Sequence, residues 1–287
     1  MSRLSVIVPT VKGPERWHSM IRALELQARR SGAEVVLATA HDVPADIRET
    51  VRVVQRTGAD IFELRALALD AASGEFVAII EDHIFVADDW CERVLEAFSQ
   101  HPEADGIVGG VTNGAPACLD RASFLLTWAP FLAPIDSVSL HRCPPPGVIA
   151  FRADVMPHSP AEPGYLEYEI TASLRDNGRL VAAPGVVVEH IQFVGVRGFA
   201  LQFHAGVAYA GLTNLSVGQR SRRQRVKEVF ALPRLLVRQT SQGLRRAGVV
   251  ETVPCRAAFT AMAVCNALGQ LIGIVRQSVG RSPSHLE

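Results

Sequence analysis

The chain of 287 residues lacks the features that mark several large classes of protein. Its five cysteines are scattered and form no CxxC pair, which argues against a disulfide framework and a zinc cluster and favours a reducing cytoplasm. Formal net charge is zero, with 29 Lys or Arg against 29 Asp or Glu, so bulk charge indicates no nucleic acid partner. The sequence holds no internal repeat and no extended low-complexity tract.

A secretory signal peptide is not expected, because the strand-length apolar run Leu4–Val8 begins almost at the first methionine. The length suits one large α/β domain with an appendage, or two small domains. We predict a catalytic-type domain over residues 1–215 and a basic, apolar helical tail over residues 216–287.

Apolar runs alternate with helix-length patterns along most of the first domain. Strands are predicted at Leu4–Val8, Glu34–Ala38, Val51–Val54, Phe76–Ile80, Ile107–Val111, Val148–Phe151, Leu180–Ala182 and Val186–Val188. Helices are predicted at Arg16–Arg30, Ile61–Ala72, Trp90–Ser99, Tyr165–Asn177 and Phe199–Gly211. Asp88 and Asp89 are expected to cap the helix that begins at Trp90. This alternation indicates βαβ units and therefore an α/β fold with a mostly parallel sheet.

Three ionisable residues, Glu81, Asp82 and His83, directly follow the buried-strand pattern Phe76–Ile80. In open α/β sheets, ligands bind at the carboxyl ends of the strands, so the cluster stands where chemistry is expected. Its alternate members Glu81 and His83 are placed to reach one bound cation. For an acidic pair alone, a solvated loop at the end of the strand is the alternative.

Five segments, in the correct order, resemble glycosyltransferase family 2, a large group of nucleotide-sugar-dependent enzymes with the GT-A fold. The segments are Leu4–Thr10, Arg65–Phe76, Glu81–His83, Gly109–Gly114 and Gly164–Gly178. Glu81-Asp82-His83 occupies the place of the family's DxD metal motif and is similar to a bacterial subgroup that writes it Glu-Asp-His, followed by a tryptophan, here Trp90. The resemblance covers roughly residues 3–213 and implies a Rossmann-like central sheet flanked by helices.

The resemblance also implies a ligand set. Displacing a nucleotide diphosphate from a sugar requires a cation that neutralises charge on the leaving group. Glu81 and His83 are the expected metal ligands, together with His190, which matches a family position near the metal and diphosphate. A lone histidine is otherwise more often structural. Imidazole favours Mn²⁺, with Mg²⁺ as the alternative. Donor contacts are expected from Pro9, Thr10, Asp42, Arg65, Glu81 and Asp82.

A general base is needed to deprotonate the acceptor hydroxyl. Glu167 aligns with the family's catalytic carboxylate, and Glu169 is the second carboxylate of the same pattern. Two residues apart near the start of a helix, they point in different directions, so only one is expected to face the acceptor. We favour Glu167. An acidic first turn that complements the helix dipole is the structural alternative for both.

Three positions depart from the family pattern. Thr39 stands where the family usually has an aspartate that reads the nucleobase, and Asp42 is expected to take that role. Ala66 and Val148 replace asparagines. The nucleobase therefore stays open, as do a changed donor and a loss of activity.

The C-terminal part combines charge with apolarity. Residues 216–256 carry ten Arg or Lys and two acidic residues, and the next 19 residues, Ala257–Val275, carry no charge. As a helix these 19 residues span about 28 Å, close to the roughly 30 Å of a bilayer core. Asn266, Gln270 and Gly273 share one face. We favour a helix on or partly in an anionic membrane surface over one packed on the domain, although the basic run also suits a solvated face or the donor diphosphate.

The family resemblance, with a single base beside the acceptor, implies an inverting, metal-dependent transferase that moves a sugar from a nucleotide-diphosphate sugar to an unknown acceptor hydroxyl. It is expected to be cytoplasmic, at the inner face of a bacterial membrane. The acceptor is a glycan, a lipid-linked molecule or a small molecule. One alternative is a nucleotidyltransferase of similar fold, for which Pro9–Gly13 is a poor phosphate loop. The other is a non-catalytic nucleotide- or lipid-binding protein with a degenerate site.

Overall fold

The computed structural model describes residues 3–141, 147–156, 166–216 and 221–276. The chain divides into two compact units. Unit 1 comprises Met1–Thr112 and Ala133–Ile191, and unit 2 comprises Asn113–Leu132 and Gln192–Glu287. Unit 2 thus includes a segment from the middle of the chain. The single boundary after residue 215 stays a prediction.

The secondary structure follows the predicted alternation closely. The strands are β1 (Leu4–Thr10), β2 (Glu34–Thr39), β3 (Arg52–Gln55), β4 (Phe76–Ile79), β5 (Ile84–Val86), β6 (Gly106–Asn113), β7 (Ile149–Arg152) and β8 (Leu180–His190). The helices are α1 (Pro14–Ser31), α2 (Ala45–Arg48), α3 (Ile61–Ala71), α4 (Trp90–Gln100), α5 (Cys118–Trp128), α6 (Leu166–Asp176), α7 (Arg197–Ser216), α8 (Arg222–Arg246) and α9 (Val253–Arg276). Helices α5, α7, α8 and α9 belong to unit 2, and the other helices belong to unit 1.

The strands form one eight-stranded sheet in the order β3-β2-β1-β4-β7-β6-β8-β5. β1 pairs in parallel with β2 and β4, and β2 with β3. β7 is antiparallel to both β4 and β6, so β6 runs in the direction of β4. Backbone and hydroxyl contacts from Gly106 to Arg179 and from Thr112 to Val188 show that β8 runs with β6. Only β5 and β7 are reversed among these strands, which confirms the mostly parallel α/β sheet.

The centre of the sheet explains why its sequence pattern is continuous rather than alternating. Every residue of β1 and β4 is buried. A strand covered on both faces presents no solvent side, so apolar residues fill successive positions. On α1, which lies against β2, Trp17, Ile21 and Leu24 are fully buried at helical spacing. The carboxyl ends of β1 and β4 therefore adjoin the buried core of unit 1.

Two local predictions in unit 1 are wrong. The pair of short strands at Leu180–Ala182 and Val186–Val188 is the single strand β8. A strand tolerates proline where no ladder hydrogen bond is required, and Pro184 and Gly185 are both exposed. The predicted aspartate cap of α4 also fails, because Asp89 makes no side-chain cap hydrogen bond. Its carboxylate instead accepts from Arg93 Nη2 at 2.7 Å, one turn along the helix.

In unit 2, α9 packs against α7 through glycines. A β-carbon on Gly269 would overlap the carbonyl oxygen of Phe203, so the two backbones approach too closely for any side chain at this position. Asn266 and Gln270 lie on the same side: Asn266 donates to Gln202 Oε1 at 3.3 Å, and Gln270 donates to Asn266 Oδ1 at 3.0 Å. The predicted polar face of this helix exists, and it is turned inward onto α7.

The outward side of α9 is apolar. Four side chains on this side, Val253, Val264, Leu268 and Val275, are between 44% and 77% exposed. We call this set the outer stripe of α9. The helix is long and apolar enough to cross a membrane by length and composition, with a mean hydropathy of 1.7 and 39% of the segment buried in the protein. Core helices of soluble proteins meet the same criterion, so composition alone does not place α9 in a membrane.

The close contact at Gly269 gives a prediction for the free energy of unfolding. Packing and helix propensity predict opposite signs for the effect of Gly269→Ala. Propensity alone makes Gly269→Ala stabilising by about 1 kcal/mol in a helix interior. Because the new methyl group meets the Phe203 carbonyl, we expect destabilisation instead, by about 1–3 kcal/mol, measured by urea unfolding. Gly198→Ala, at the start of α7, is the control and should cost less, since its nearest obstacle is the end of the flexible Met262 side chain rather than backbone. A more stable Gly269→Ala variant would contradict the close α7–α9 approach.

Candidate active site at the carboxyl edge of the sheet

The predicted site residues gather where β1 and β4 end. Thr10 is the last residue of β1, and Glu81, Asp82 and His83 follow β4. Ile80 N donates to Ile7 O at 3.0 Å, so the parallel pairing of these strands continues to the edge of the cluster. Carboxyl ends of adjacent parallel strands meet at one edge of a sheet, which is the usual place for a ligand.

A tight turn then presents the three residues to the site. Ile84 N donates to Glu81 O at 3.0 Å, closing the turn that leads into β5. β5 pairs with β8 in antiparallel register, with Ile84 opposite His190, and Ile191 N donates to His83 O at 2.9 Å. This pairing brings His190 beside His83, although the two are far apart in sequence.

Glu81, His83 and His190 form a group that suits a cation. One donor atom from each lies within 4.8 Å of the others. The Nε2 atoms of the two histidines are 3.1 Å apart, and Glu81 Oε2 lies 3.3 Å from His83 Nε2. Ligand atoms that each stand about 2.1 Å from a shared cation are separated by about 3 to 4 Å, so these spacings fit. The donor set, two imidazoles and one carboxylate, suits a divalent cation, and the choice of Mn²⁺ over Mg²⁺ stays a prediction.

His190 is held in the neutral form that a metal ligand needs. It is 3% exposed. Burial, assisted by the neighbouring charge of His83, lowers the pKa of His190 to about 3. A histidine with so low a pKa remains uncharged at neutral pH and keeps a lone pair for a cation.

Asp82 orients His83. Its Oδ1 lies 3.0 Å from His83 Nδ1, and its Oδ2 accepts the Thr10 hydroxyl at 2.5 Å. Burial opposes ionisation, but the hydrogen bonds from His83 and Thr10 and the nearby charge of Arg16 outweigh it and lower the pKa of Asp82 below its ordinary value. An ionised carboxylate on Nδ1 fixes the proton there and turns Nε2 toward Glu81 and His190.

Thr10 links this cluster to the loop after β1. Besides donating to Asp82, its Oγ1 accepts a hydrogen bond from Lys12 N at 3.0 Å. Thr10 and the preceding Pro9 are both buried. Thr10 and Asp82 therefore belong to one hydrogen-bonded arrangement with His83, and Glu81 lies beside it, with its Oε2 3.3 Å from His83 Nε2.

The other predicted donor residues lie elsewhere. Asp42 is exposed after β2, where its Oδ1 accepts from Gln55 Nε2 at 3.0 Å, and Arg48 Nη2 in turn donates to Gln55 Oε1 at 2.5 Å. Arg65 is buried on α3 with its guanidinium 5.8 Å from the Phe62 ring centre. Thr39, at the position of the family's base-reading aspartate, is fully buried and accepts from His41 N.

The side chains of Glu167 and Glu169 lie outside the described residues. The backbone of α6 begins at Leu166, one residue after the predicted start, so both glutamates fall in its first turn. Their assignment as the base stays a prediction.

Arg16 is a site residue that the sequence did not reveal. It lies in the first turn of α1, donates to Ile191 O at 3.5 Å, and its charge acts on both Asp82 and His190. Its position soon after β1 is the signal available in the sequence, since helix N-termini behind strand ends commonly face anionic ligands.

Comparison with known proteins places the fold. No family model matches the chain. No curated protein matches it significantly either. Many solved structures match the chain in fold, glycosyltransferases with the GT-A type of α/β fold among them. This confirms the predicted fold class.

Three of these structures illustrate the likeness. A mannosyltransferase from Pyrobaculum calidifontis, solved with GDP-Man and Mn²⁺, is 16% identical with a TM-score of 0.53, over 94% of this chain and 87% of its own. A structure described as a mycobacterial protein is 15% identical with a TM-score of 0.53, over 72% and 73% of the two chains. TarS 1–349 of S. aureus, 14% identical over 93% and 90%, has a TM-score of 0.48, too low to support an argument.

Proposed function

We propose that the protein is a glycosyltransferase of family 2 type that uses a nucleotide-diphosphate sugar and a divalent cation. The observation that carries the proposal is the Glu81–His83–His190 group at the carboxyl edge of a GT-A sheet. Support comes from the mannosyltransferase of similar fold, whose structure holds GDP-Man and Mn²⁺. The buried, neutral His190 and the oriented His83 suit ligation rather than a surface role.

The residues divide the work as follows. Glu81, His83 and His190 would hold the cation, which supplies positive charge to the departing diphosphate. Asp82 and Thr10 keep His83 in the ligating orientation. Arg16 adds positive charge beside the same edge. Glu167, or Glu169 in its place, removes the proton of the acceptor hydroxyl, whose oxygen then attacks the anomeric carbon. A single displacement of this kind inverts the configuration at that carbon.

We also propose that the enzyme works at the inner face of the cell membrane. Unit 2 carries fourteen Arg or Lys against four Asp or Glu, so it is strongly basic, whereas the chain as a whole is neutral. Basic segments are attracted to the anionic lipids of that leaflet. The outer stripe of α9 adds exposed apolar side chains to the same unit.

A panel of nucleotide sugars tests the donor assignment. The melting temperature should rise with one nucleotide-diphosphate sugar when Mn²⁺ is present and stay unchanged when EDTA replaces the metal. A ligand at a hundred times its dissociation constant stabilises the folded state by about 2.7 kcal/mol, which is readily measured. Release of nucleotide diphosphate from the same donor completes the test. Stabilisation by nucleoside triphosphates alone, with no sugar nucleotide active, would contradict the proposal.

A further inference from the structure

Unit 2 contains a cavity outside the site described above. It lies between α5, α8 and the first turns of α9 and has a volume of about 420 Å³. Its walls are mainly apolar, from Leu125, Val237, Leu244, Val249, Val250 and Phe259. Small-molecule sites commonly have this size and an apolar lining with a few polar groups. We call it the α8–α9 cavity.

The interior of the cavity is electrically neutral. Glu251, 6% exposed, is ion-paired with Arg121. Cys255 is also buried, and burial, followed by the neighbouring Glu251, raises the pKa of its thiol to about 12. The thiol therefore stays protonated at neutral pH. Away from the exposed arginines Arg245 and Arg256, an apolar group in the cavity meets no uncompensated charge.

The mouth is positive. Arg245, near the end of α8, and Arg256, in the first turn of α9, both line the cavity and are both exposed. Among the described residues, neither guanidinium pairs with a carboxylate. Two unpaired guanidinium groups are well suited to bind a phosphate oxygen. The mouth and interior together suit an amphiphile that has a single anionic head and an apolar chain.

The surface around the mouth has the same character. Val250 is 83% exposed and Val253 is 77% exposed, and Val253 begins the outer stripe that continues along α9. Exposed valines and leucines beside arginines are unfavourable in water and favourable at the interface of an anionic bilayer. A free phosphate does not use the apolar wall, and a neutral apolar metabolite does not use the arginines.

We propose that the α8–α9 cavity binds an anionic membrane lipid, with an acyl chain among Leu244, Val249 and Phe259 and the headgroup phosphate between Arg245 and Arg256. The outer stripe then rests on the bilayer surface, and α9 stays packed on α7 rather than crossing the membrane. The site lies wholly within unit 2 and needs neither donor nor cation. Its failure in an experiment is therefore distinct from a failure of the proposed sugar transfer.

Calorimetric titration of the full-length protein, without metal or sugar nucleotide, tests the ligand class. Lysophosphatidylglycerol, below its micelle concentration, should bind at one saturable site. A monoacylglycerol, which has the same chain and no phosphate, should bind at least about fivefold more weakly, because each arginine near an anionic group contributes about that factor. Glycerol phosphate, the head without the chain, should not bind measurably. Equal binding of either control ligand would overturn the proposal.

Matched variants test the residues. Arg245→Gln with Arg256→Gln should weaken lysophosphatidylglycerol by about twenty-five-fold, about fivefold for each lost charge. Arg223→Gln, on the same helix about 33 Å from Arg245, should change it by less than twofold. Thr260→Trp and Ser241→Trp fill the cavity from α9 and from α8, so either folded variant should abolish binding.

Flotation with phosphatidylglycerol vesicles tests the surface. Val250→Asp with Val253→Asp should release the protein from the vesicles, whereas wild-type protein should be retained and partly released by high salt as charge screening increases. Retention of the Asp variant together with unchanged lysolipid binding in the tryptophan variants would overturn the lipid site. Thermal unfolding of every variant shows whether it is folded.

Discussion

Glu167→Gln is expected to lower donor turnover by at least about a hundredfold while leaving donor binding intact, because a positioned general base contributes about 10² to 10⁴ to the rate. Glutamine keeps the shape of the side chain and its place in the first turn of α6, but it cannot accept the proton of the acceptor hydroxyl. The turnover is measured as release of nucleotide diphosphate, and donor binding as the Mn²⁺-dependent rise in melting temperature.

The pH profile separates a base from a structural residue. In the native enzyme, kcat should fall on the acid side as the base becomes protonated, and Glu167→Gln should remove that limb. Glu169→Gln is the matched control, two residues along the same helix, and should retain most of the turnover and the acid limb. A large loss in Glu169→Gln, with near-normal Glu167→Gln, would reverse the choice between the two carboxylates.

The central strands were predictable because a short, continuous apolar run that ends at charged residues is typical of a buried strand. Phe76–Ile80 is apolar at every position and stops abruptly at Glu81, which fits a strand covered on both faces and ending at an open edge. β8 was harder to predict, because Pro184-Gly185 is a turn signal in sequence terms. The strand continues through Pro184-Gly185 because both residues are exposed. That exposure depends on the neighbouring elements, and the local sequence does not reveal it.

The site was predictable in part for the same reason. Glu81 and His83 stand together in the sequence, so their position after a buried strand suggested a shared ligand. His190 is 107 residues from His83 and reaches it through the antiparallel pairing of β5 with β8. The spacing of residues in the sequence does not indicate that pairing. Only the family resemblance indicated His190 as a ligand. The orienting role of Asp82 depends on side-chain directions that follow from the turn.

The C-terminal helix shows another limit. Asn266, Gln270 and Gly273 share a face, as their spacing predicts. The sequence does not indicate which way that face turns, and a polar stripe ordinarily suggests the solvent side. Here the partner helix α7 supplies Gln202 as a hydrogen-bond acceptor and a close backbone at Phe203, so the polar face lies half-buried against α7 while the outer stripe is exposed.

His83→Ala is expected to weaken Mn²⁺-dependent donor binding by at least about tenfold, since even residues that only orient a ligand are worth about 10- to 100-fold in metal affinity. The fold should persist, because His83 is partly exposed. Removing its ring also ends the close approach of its Nε2 to His190 Nε2, two atoms that lie 3.1 Å apart. Calorimetric titration of Mn²⁺ with the donor's nucleotide diphosphate measures the loss. His101→Ala, which removes a surface histidine beside Glu103, is the control and should leave the affinity unchanged.

A second substitution at the same position tests the ligand chemistry. His83→Asp would replace the imidazole with a carboxylate and leave Glu81 and Asp82 beside it. Carboxylate oxygens suit Mg²⁺ better than imidazole nitrogen does, so the ratio of Mn²⁺ to Mg²⁺ affinity should fall relative to the native protein. A structural histidine would give no such change in preference. If His83→Ala binds Mn²⁺ and nucleotide as the native protein does, and His83→Asp keeps the native metal preference, His83 is not a ligand and the metal centre must be assigned to other residues.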